Sequence, residues 1–227
     1  RTHRETGAQA ALQHYQRALE LTDNLPVSAR EATHLAYAQA LVDVGDYHSA
    51  AQQYQQAYNL TQNLNHLINR FHAQRAQGET LSLLPELTRL EQEQNDVRIT
   101  TLIASIYASE NQLDYALDTL NRQLDANPTR RERAHLLNSR AAVHAQQGNH
   151  HQAQADLETA RQQDPSNVTT TLNLGLIQYA QGQYEPALTN LQTALEAGLG
   201  DTSTHLAIAQ AAFNTGRHAE TITATQQ

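Results

Sequence analysis

The chain has 227 residues, a formal net charge of −8 and no cysteine. The negative charge argues against a nucleic-acid backbone as partner, because phosphate binding needs a basic face. Without cysteine the chain can form no disulfide, thiolate zinc site or thiol nucleophile. No run approaches the roughly 18 consecutive apolar residues of a membrane span, and the absence of an initial methionine suggests a segment trimmed from a longer protein.

A ladder of turn-forming residues divides the chain into helix-forming stretches rich in Ala, Gln, Leu and Glu. The rungs recur at intervals of 33, 33, 37, 34 and 34 positions and are Gly45, Gly78, Asn111, Gly148, Gly182 and Gly216. A nearly constant period in this range predicts stacked helical hairpins, each rung being the turn of one hairpin. Such an array is mainly a surface for holding another molecule.

In chain order, the pattern predicts one partial hairpin, five fuller ones and a second partial one. Their positions are a lone helix near 7–22, repeats at 31–62, 64–95, 97–128 and 133–167, a further repeat around Gly182, and a last one from about 202 that breaks off after Gly216. The repeat at 64–95 is degenerate. In it Pro85 lies too deep for a helix that starts just after Gly78, so we expect the helix to begin near Ser82.

Small residues recur where two helices of a hairpin must approach closely. Ala141 and Gly175 hold the same place in successive first helices, and Ala153 and Ala187 hold the opposing place in the second helices. These residues, with Pro165 ending a second helix, resemble the tetratricopeptide repeat (TPR) family over nearly the whole chain. The resemblance implies an all-α fold, a right-handed α-solenoid of TPR hairpins, with residues 1–227 forming a single segment of about six repeats.

Two irregularities interrupt this regular pattern. The degenerate repeat, with a long loop at 78–81, is either a hinge at 78–85 or a repeat that has drifted in sequence while keeping its fold. The 37-residue interval is explained by a longer linker at 129–133, whose three arginines could meet an acidic partner or simply face solvent.

The sequence favours neither a metal site nor an enzyme. Its twelve histidines are scattered, and the adjacent pair His150 and His151 would point in different directions on a helix. Carboxylates such as Glu91 would lie on an open surface, which gives no raised pKa for acid–base catalysis. No Gly-x-Ser-x-Gly elbow or phosphate-binding loop is present. We therefore predict a protein without cofactor, metal or catalytic residues.

The resemblance to TPR proteins places the partner site on the concave face, which the first helices line. Its predicted residues are polar with some apolar and aromatic members: Gln39, Ile68, His72, Arg75, Arg98, Thr101, Ser105, His135, Asn138, Leu172, Leu176, Tyr179 and Phe213. This lining suits a protein or peptide partner. TPR proteins that bind chaperone tails use a Lys/Asn/Arg clamp, but here Thr101 and Ser105 occupy two of its positions, so that clamp is not built.

The leading hypothesis is a non-enzymatic scaffold that mediates protein–protein interaction. The Ala- and Gln-rich, cysteine-free sequence from Ala142 to the end resembles periplasmic TPR arms of Gram-negative envelope proteins. Those proteins serve exopolysaccharide export or phage adsorption at the outer membrane. Two alternatives stay open: the substrate-recruiting arm of a larger enzyme such as a glycosyltransferase, and a cytoplasmic assembly or regulatory factor. The asparagine ladder of such glycosyltransferases is absent, since only Asn138 stands at a matching groove position.

Overall fold

The computed structural model describes residues 2–21 and 25–216. The regular secondary structure in these ranges consists of α-helices and a 3₁₀ helix, and no strand occurs among the described residues. The α-helices are α1 (Thr2–Glu20), α2 (Val27–Asp43), α3 (Tyr47–Thr61), α4 (Leu64–Ala76), α5 (Leu84–Gln94), α6 (Val97–Ser109), α7 (Leu113–Asp125), α8 (Arg130–Gln146), α9 (His150–Gln163), α10 (Val168–Ala180), α11 (Tyr184–Glu196) and α12 (Thr202–Asn214). The predicted all-α fold of helical hairpins is confirmed.

The chain separates into two compact units, Arg1–Leu87 and Thr88–Gln227. The first unit contains α1 to α4, and the second contains α6 to α12. The single solenoid segment over 1–227, and the hinge at 78–85, stay predictions. The expected second helix after Gly216 lies outside the described residues.

The six rungs of the ladder all adopt the left-handed backbone conformation that a tight turn between helices requires. Their φ angles are +82° at Gly45, +99° at Gly78, +58° at Asn111, +78° at Gly148, +74° at Gly182 and +78° at Gly216. After each of the first five rungs the next residue donates its N–H back to a carbonyl of the helix, as from Asn149 to His144 at 2.8 Å. This bond closes the helix end, so the ladder is a series of left-handed helix C-caps.

Close packing within the hairpins follows the predicted small residues. Ala153 and Ala187 are fully buried, and Leu157 and Leu191 fill the space beside them with at most 1% exposure. The tightest approach is at Gly175, where a Cβ atom would lie only 2.8 Å from Cγ of Leu191. Glycine fits this position because a methyl group would meet the side chain of Leu191 on the facing helix.

The segment predicted as an arginine-bearing linker is helical, which corrects the sequence interpretation. Thr129 caps α8, accepting a hydrogen bond from the backbone N–H of Glu132, while the Glu132 carboxylate accepts from the backbone N–H of Thr129. This reciprocal capping box begins α8 at Arg130 and lengthens it to 17 residues. The longer interval therefore comes from an extra helical turn.

The helical start predicted near Ser82 in the degenerate repeat is confirmed. A 3₁₀ helix at Leu81–Leu83 runs without a break into α5, which begins at Leu84. Pro85 then lies in the first turn of α5, where its missing N–H removes no helical hydrogen bond.

In the first unit, a hydrogen-bonded pair of side chains joins α2 to α4. Nε2 of the buried His66 lies 2.5 Å from Oε1 of Glu31, and the Thr61 hydroxyl donates to the same oxygen at 3.2 Å. The hydrogen bond from His66 lowers the pKa of Glu31, and the bond from Thr61 adds to the effect.

None of the helices in the described ranges is long and apolar enough to cross a membrane.

Candidate partner-binding groove

All thirteen predicted groove residues lie on first helices, and none of them is buried. Gln39 is on α2, three are on α4, three on α6, two on α8, three on α10 and Phe213 on α12. The exposed members are Gln39, His72, Arg98, His135 and Phe213, and the half-buried ones are Ile68, Arg75, Thr101, Ser105, Asn138, Leu172, Leu176 and Tyr179. Their role in binding a partner stays a prediction.

In the second unit a cavity of about 340 Å³ opens between the first helices α6 and α8. We call it the α6–α8 trough, and its lining residues are Thr101, Ala104, Ser105, Ala108, Ser109, Ser139, Ala142, Val143 and Gln146. Two predicted residues, Thr101 and Ser105, are among them. The trough exists because small side chains face each other from the two helices, so neither helix fills the space between them.

A second cavity, of about 260 Å³, lies between α8 and α10. It is lined by Ala141, Ala142, Ala145, Leu157, Asn173, Leu176 and Ile177, and it is mainly apolar. Because Ala142 lines both cavities, the two form neighbouring hollows across three successive first helices. Only Leu176 was predicted among the residues of this second cavity.

Amide side chains join α8 to α10 beside these hollows. Nδ2 of Asn138 donates to the Ala134 carbonyl at 2.9 Å and to the hydroxyl of the buried Thr170 at 2.7 Å. Nδ2 of Asn173 lies 3.5 Å from Oδ1 of Asn138, the acceptor of its weak hydrogen bond. The donors of Asn138 are therefore engaged within the protein, whereas its neighbour Asn173, missed by the sequence analysis, lines the cavity.

A bidentate ion pair fixes α8 against its own hairpin partner α9. The Arg140 guanidinium donates to the two carboxylate oxygens of Asp156 at 2.8 and 2.6 Å, and to Oδ1 of Asn121 at 2.7 Å. Asp156 is only 8% exposed. The hydrogen bond to Asp156 raises the pKa of Arg140 against the opposing effect of burial. This pair holds the central helix of the two hollows in place.

Between α10 and α12 the side chains on the groove face are larger, and they fill the space between the two helices. The half-buried Leu172, Leu176 and Tyr179 pack against Ala207 and Ile208 of α12. The Tyr179 hydroxyl donates to the amide oxygen of Gln210 on the same helix. On α12 itself, Leu206 is 57% and Phe213 65% exposed.

The first unit has its own, smaller pocket of about 170 Å³, lined by Val42, Tyr47, Tyr54, Asn69, His72, Ala73 and Ala76. Although His72 is exposed as a whole residue, desolvation of its imidazole beside these walls lowers its pKa, and the nearby Arg75 lowers it further. Burial likewise raises the pKa of Tyr54. The pocket therefore favours a neutral imidazole and a neutral phenol.

Charge is segregated between the two layers of the second unit. The first helices α6, α8, α10 and α12 carry five arginines and one glutamate, and α10 and α12 carry no Asp, Glu, Lys or Arg. The second helices α7, α9 and α11 carry seven carboxylates and two arginines. A chain of net negative charge thus keeps carboxylates away from its groove helices, which removes electrostatic repulsion toward an acidic partner.

In the described part of the chain, no group of three or more His, Cys, Asp or Glu side chains is arranged to hold a metal ion. Pairs of such side chains do occur, as His66 with Glu31 at 2.5 Å, and His144 with Asp156 at 4.0 Å. The carboxylate of Asp156 is already held by Arg140.

The hairpins, their left-handed caps and the hollowed face of first helices define the class of fold, that of TPR scaffold proteins, which are generally non-catalytic and typically bind other proteins. The model of the tetratricopeptide repeat family matches residues 132–199, which span most of α8 and all of α9 to α11. The TPR resemblance is thereby supported in the segment that contains the central part of the groove.

Several solved structures share this fold at low sequence identity. A thermophilic TPR protein of Thermus thermophilus is 21% identical over 81% of this chain and 99% of its own, with a TM-score of 0.63. A TPR protein of Parabacteroides merdae is 20% identical over 87% of this chain and 78% of its own, with a TM-score of 0.55. A chain of the APC/C hetero-tetramer Cut9–Hcn1 is 18% identical over 97% of this chain but 43% of its own, with a TM-score of 0.67. No curated protein sequence matches the chain.

Proposed function

We propose that this chain is a non-enzymatic TPR scaffold that binds an extended segment of a partner protein across α6, α8 and α10. The observation that carries the proposal is the pair of hollows that share Ala142. Concave sites with small or apolar walls and a few polar groups bury a ligand's side chains while polar groups fix its orientation. Here Asn173, Thr101 and Ser139 supply such polar groups.

The partner segment must be compatible with a groove whose helices carry almost no carboxylates. An extended chain can place alternate side chains into successive hollows and bond its backbone to the amides and hydroxyls between them. Acidic or neutral residues on the segment meet no repulsion from α6, α10 or α12.

The proposal is tested by filling the shared wall of both hollows with Ala142→Leu. Peptides selected from a displayed library of random dodecamers on the native chain would be measured against this variant and against Ala155→Leu, a matched change at an exposed position of α9. We expect at least about a tenfold loss of affinity for Ala142→Leu, since a blocked central pocket removes a binding hot spot, and none for Ala155→Leu. Equal binding to all three proteins would contradict the proposal.

For the setting we propose a periplasmic arm of a bacterial envelope export or adsorption system. This proposal is supported by the resemblance in amino-acid composition between the sequence from Ala142 onward and the TPR arms of such envelope proteins. The test is fractionation of cells that express the tagged native gene: recovery of the protein with the periplasmic or envelope fraction is expected, and recovery with the cytoplasm alone would contradict the proposal.

A further inference from the structure

The pocket of the first unit contains a buried tyrosine. This pocket of about 170 Å³ lies between α2, α3 and α4. Tyr54 lines it and is only 7% exposed, yet among the described residues its hydroxyl has no hydrogen-bond partner. The hydroxyl is not one of the buried polar atoms that are sealed from solvent without a partner, so it opens into the pocket. Buried polar groups without a partner are rare in folded proteins, and a ligand in the pocket would supply the missing bond.

The other polar side chains of the pocket are also available to a ligand. In the described part of the chain, the side chains of Tyr47 and Asn69 make no hydrogen bond or ion pair. The imidazole of His72 is mainly neutral at pH 7, because desolvation and the nearby Arg75 lower its pKa. Phenols, amides and neutral imidazoles can each donate and accept a hydrogen bond. The pocket therefore suits a ligand group that does both, such as a hydroxyl.

The walls of the pocket suit a single uncharged ring. No Asp, Glu, Lys or Arg occurs among the described residues that line it, so a charged group would be desolvated there without a counter-ion. The rings of Tyr47, Tyr54 and His72 can pair with an aromatic ring, and Val42 and Ala73 offer it apolar contacts. An apolar cavity of roughly 150 Å³ holds one benzene molecule. The pocket is therefore the size of one six-membered ring.

The pocket has an open mouth and a closed floor. Asn69, His72 and Ala76 of α4 are exposed, whereas Tyr54 and Ala73 are buried. A ring that enters beside α4 therefore meets polar groups at the mouth and the hydroxyl of Tyr54 at the floor.

We propose that this pocket binds one phenol ring, a neutral six-membered aromatic ring that carries a hydroxyl group. The hydroxyl exchanges hydrogen bonds with Tyr54 and Asn69, and the ring packs against Tyr47. Either a free phenolic compound or a tyrosine of a partner protein carries this ring. The pocket lies in the first unit and shares no lining residue with the two hollows around Ala142, so the inference is independent of the proposed peptide binding.

The test is an NMR titration of the isotope-labelled 227-residue chain with para-cresol, which reproduces the side chain of tyrosine. We expect saturable shifts of the amide signals of the lining residues, with a dissociation constant on the order of 1 mM for so small a ligand. Para-methylanisole has a methyl group in place of the hydroxyl hydrogen, and cyclohexanol lacks the aromatic ring. Both should bind at least about fivefold more weakly. Para-cresol that causes no saturable shift up to about 20 mM, or equal binding of the three compounds, would overturn the proposal.

Two variants check that the pocket is the site of binding. Tyr54→Phe removes only the hydroxyl and should weaken para-cresol binding roughly fivefold. Its control is Tyr58→Phe, the same change on α3 outside the pocket, which should bind like the native chain. Ala76→Leu narrows the exposed mouth and should also weaken binding at least about fivefold, unlike Ala32→Leu at an exposed position of α2.

Circular dichroism checks that each variant is folded; if Tyr54→Phe is not, Ala76→Leu decides, because it changes an exposed position. Native-like binding of para-cresol by either variant in its folded form would overturn the proposal.

N-acetyl-tyrosine amide distinguishes the two sources of the ring, because it carries the phenol on an uncharged peptide-like backbone. Binding at least as tight as that of para-cresol would assign the pocket to a tyrosine of a partner protein, and weaker binding would assign it to a free phenolic compound. Ala142→Leu should leave both titrations unchanged, which separates this result from a failure of the proposed peptide binding.

Discussion

Successive first helices of the same repeat face each other between α6 and α8 and between α10 and α12. The space between α6 and α8 contains a cavity, and we call it the hollow interval. The space between α10 and α12 is filled by side chains, and we call it the filled interval. Between α6 and α8 the facing residues include Ala104, Ala108 and Ala142, and a cavity of about 340 Å³ remains. Between α10 and α12, Leu172 and Tyr179 reach across to Ala207 and Ile208. Side-chain size at a few facing positions thus decides whether neighbouring repeats present a pocket or a packed surface.

The difference predicts how each interval responds to mutation. The filled interval should lose stability when a side chain is shortened, because each large residue contacts several neighbours. The hollow interval should tolerate such changes and respond instead, through its ligand, to side chains that are enlarged.

The largest effect is expected for Leu191→Ala. Leu191 is fully buried and packs with Ala207 and Ile208. Its truncation should lower the free energy of unfolding by about 3 kcal/mol, from lost burial and the cavity left behind. Urea denaturation measures the change. Ser139→Ala in the hollow interval serves as the control and should shift the free energy of unfolding by less than about 1 kcal/mol. An equal loss of stability in both variants would contradict the expected difference between the two intervals.

Gly175→Ala should destabilise the filled interval by enlargement rather than by truncation. The added Cβ atom would lie 2.8 Å from Cγ of Leu191, so we expect a loss of about 2 kcal/mol. In the background of Leu191→Ala the same substitution should cost much less, because the atom that it meets is gone. Additive losses in the double mutant would show that Leu191 is not the cause.

Asp156→Ala tests whether the hollow interval depends on a polar support instead of apolar packing. The substitution leaves the guanidinium of Arg140 without its bidentate partner, and we expect a loss of about 2 kcal/mol, reduced from that of a fully buried pair because Arg140 is partly exposed. The side chain of Arg140 is 26% exposed. Arg140→Met with Asp156→Leu should recover most of the loss, and a double variant as unstable as Asp156→Ala would argue against this account.

The smallest effect concerns the cap of α12. Hydrogen bonds from Ser203 and Thr204 lower the pKa of Asp201 to about 2. Since this pKa is below the value in the unfolded chain, the carboxylate stabilises the fold above pH ~4 and loses that effect as the pH falls toward 2. Asp201→Ala should therefore lower the melting temperature at pH 7 and lower it less at pH 2.5. A difference that grows toward low pH would contradict this sign.

The turns and the close-packed positions could be predicted because each depends on one kind of residue. Left-handed turns favour Gly or Asn, and tight helix contacts favour Ala or Gly. The start of α8 was missed although Thr129 and Glu132 form the spacing of a capping box, since the arginines between them suggested a solvated linker.

The hollows could not be predicted from groove positions alone. Ala142 lines both cavities, but an alanine on a groove face carries no chemical signal in a sequence. A cavity is defined by the space left between side chains of different helices, so it depends on the positions of α6, α8 and α10 together. Asn173 was missed for the same reason: its contact with Asn138 crosses two helices.

The ladder of left-handed turns also has a mechanical consequence. Each hairpin closes on its own turn and contacts chiefly its neighbours, so a chain pulled from its two ends should release one hairpin at a time. The turns at Gly148, Gly182 and Gly216 set a unit of thirty-four residues, which corresponds to about 110 Å of extended chain for each released unit. When the chain is stretched in an optical trap, the C-terminal hairpins should lengthen in steps of that size. The measured step length would then report the spacing of the turns.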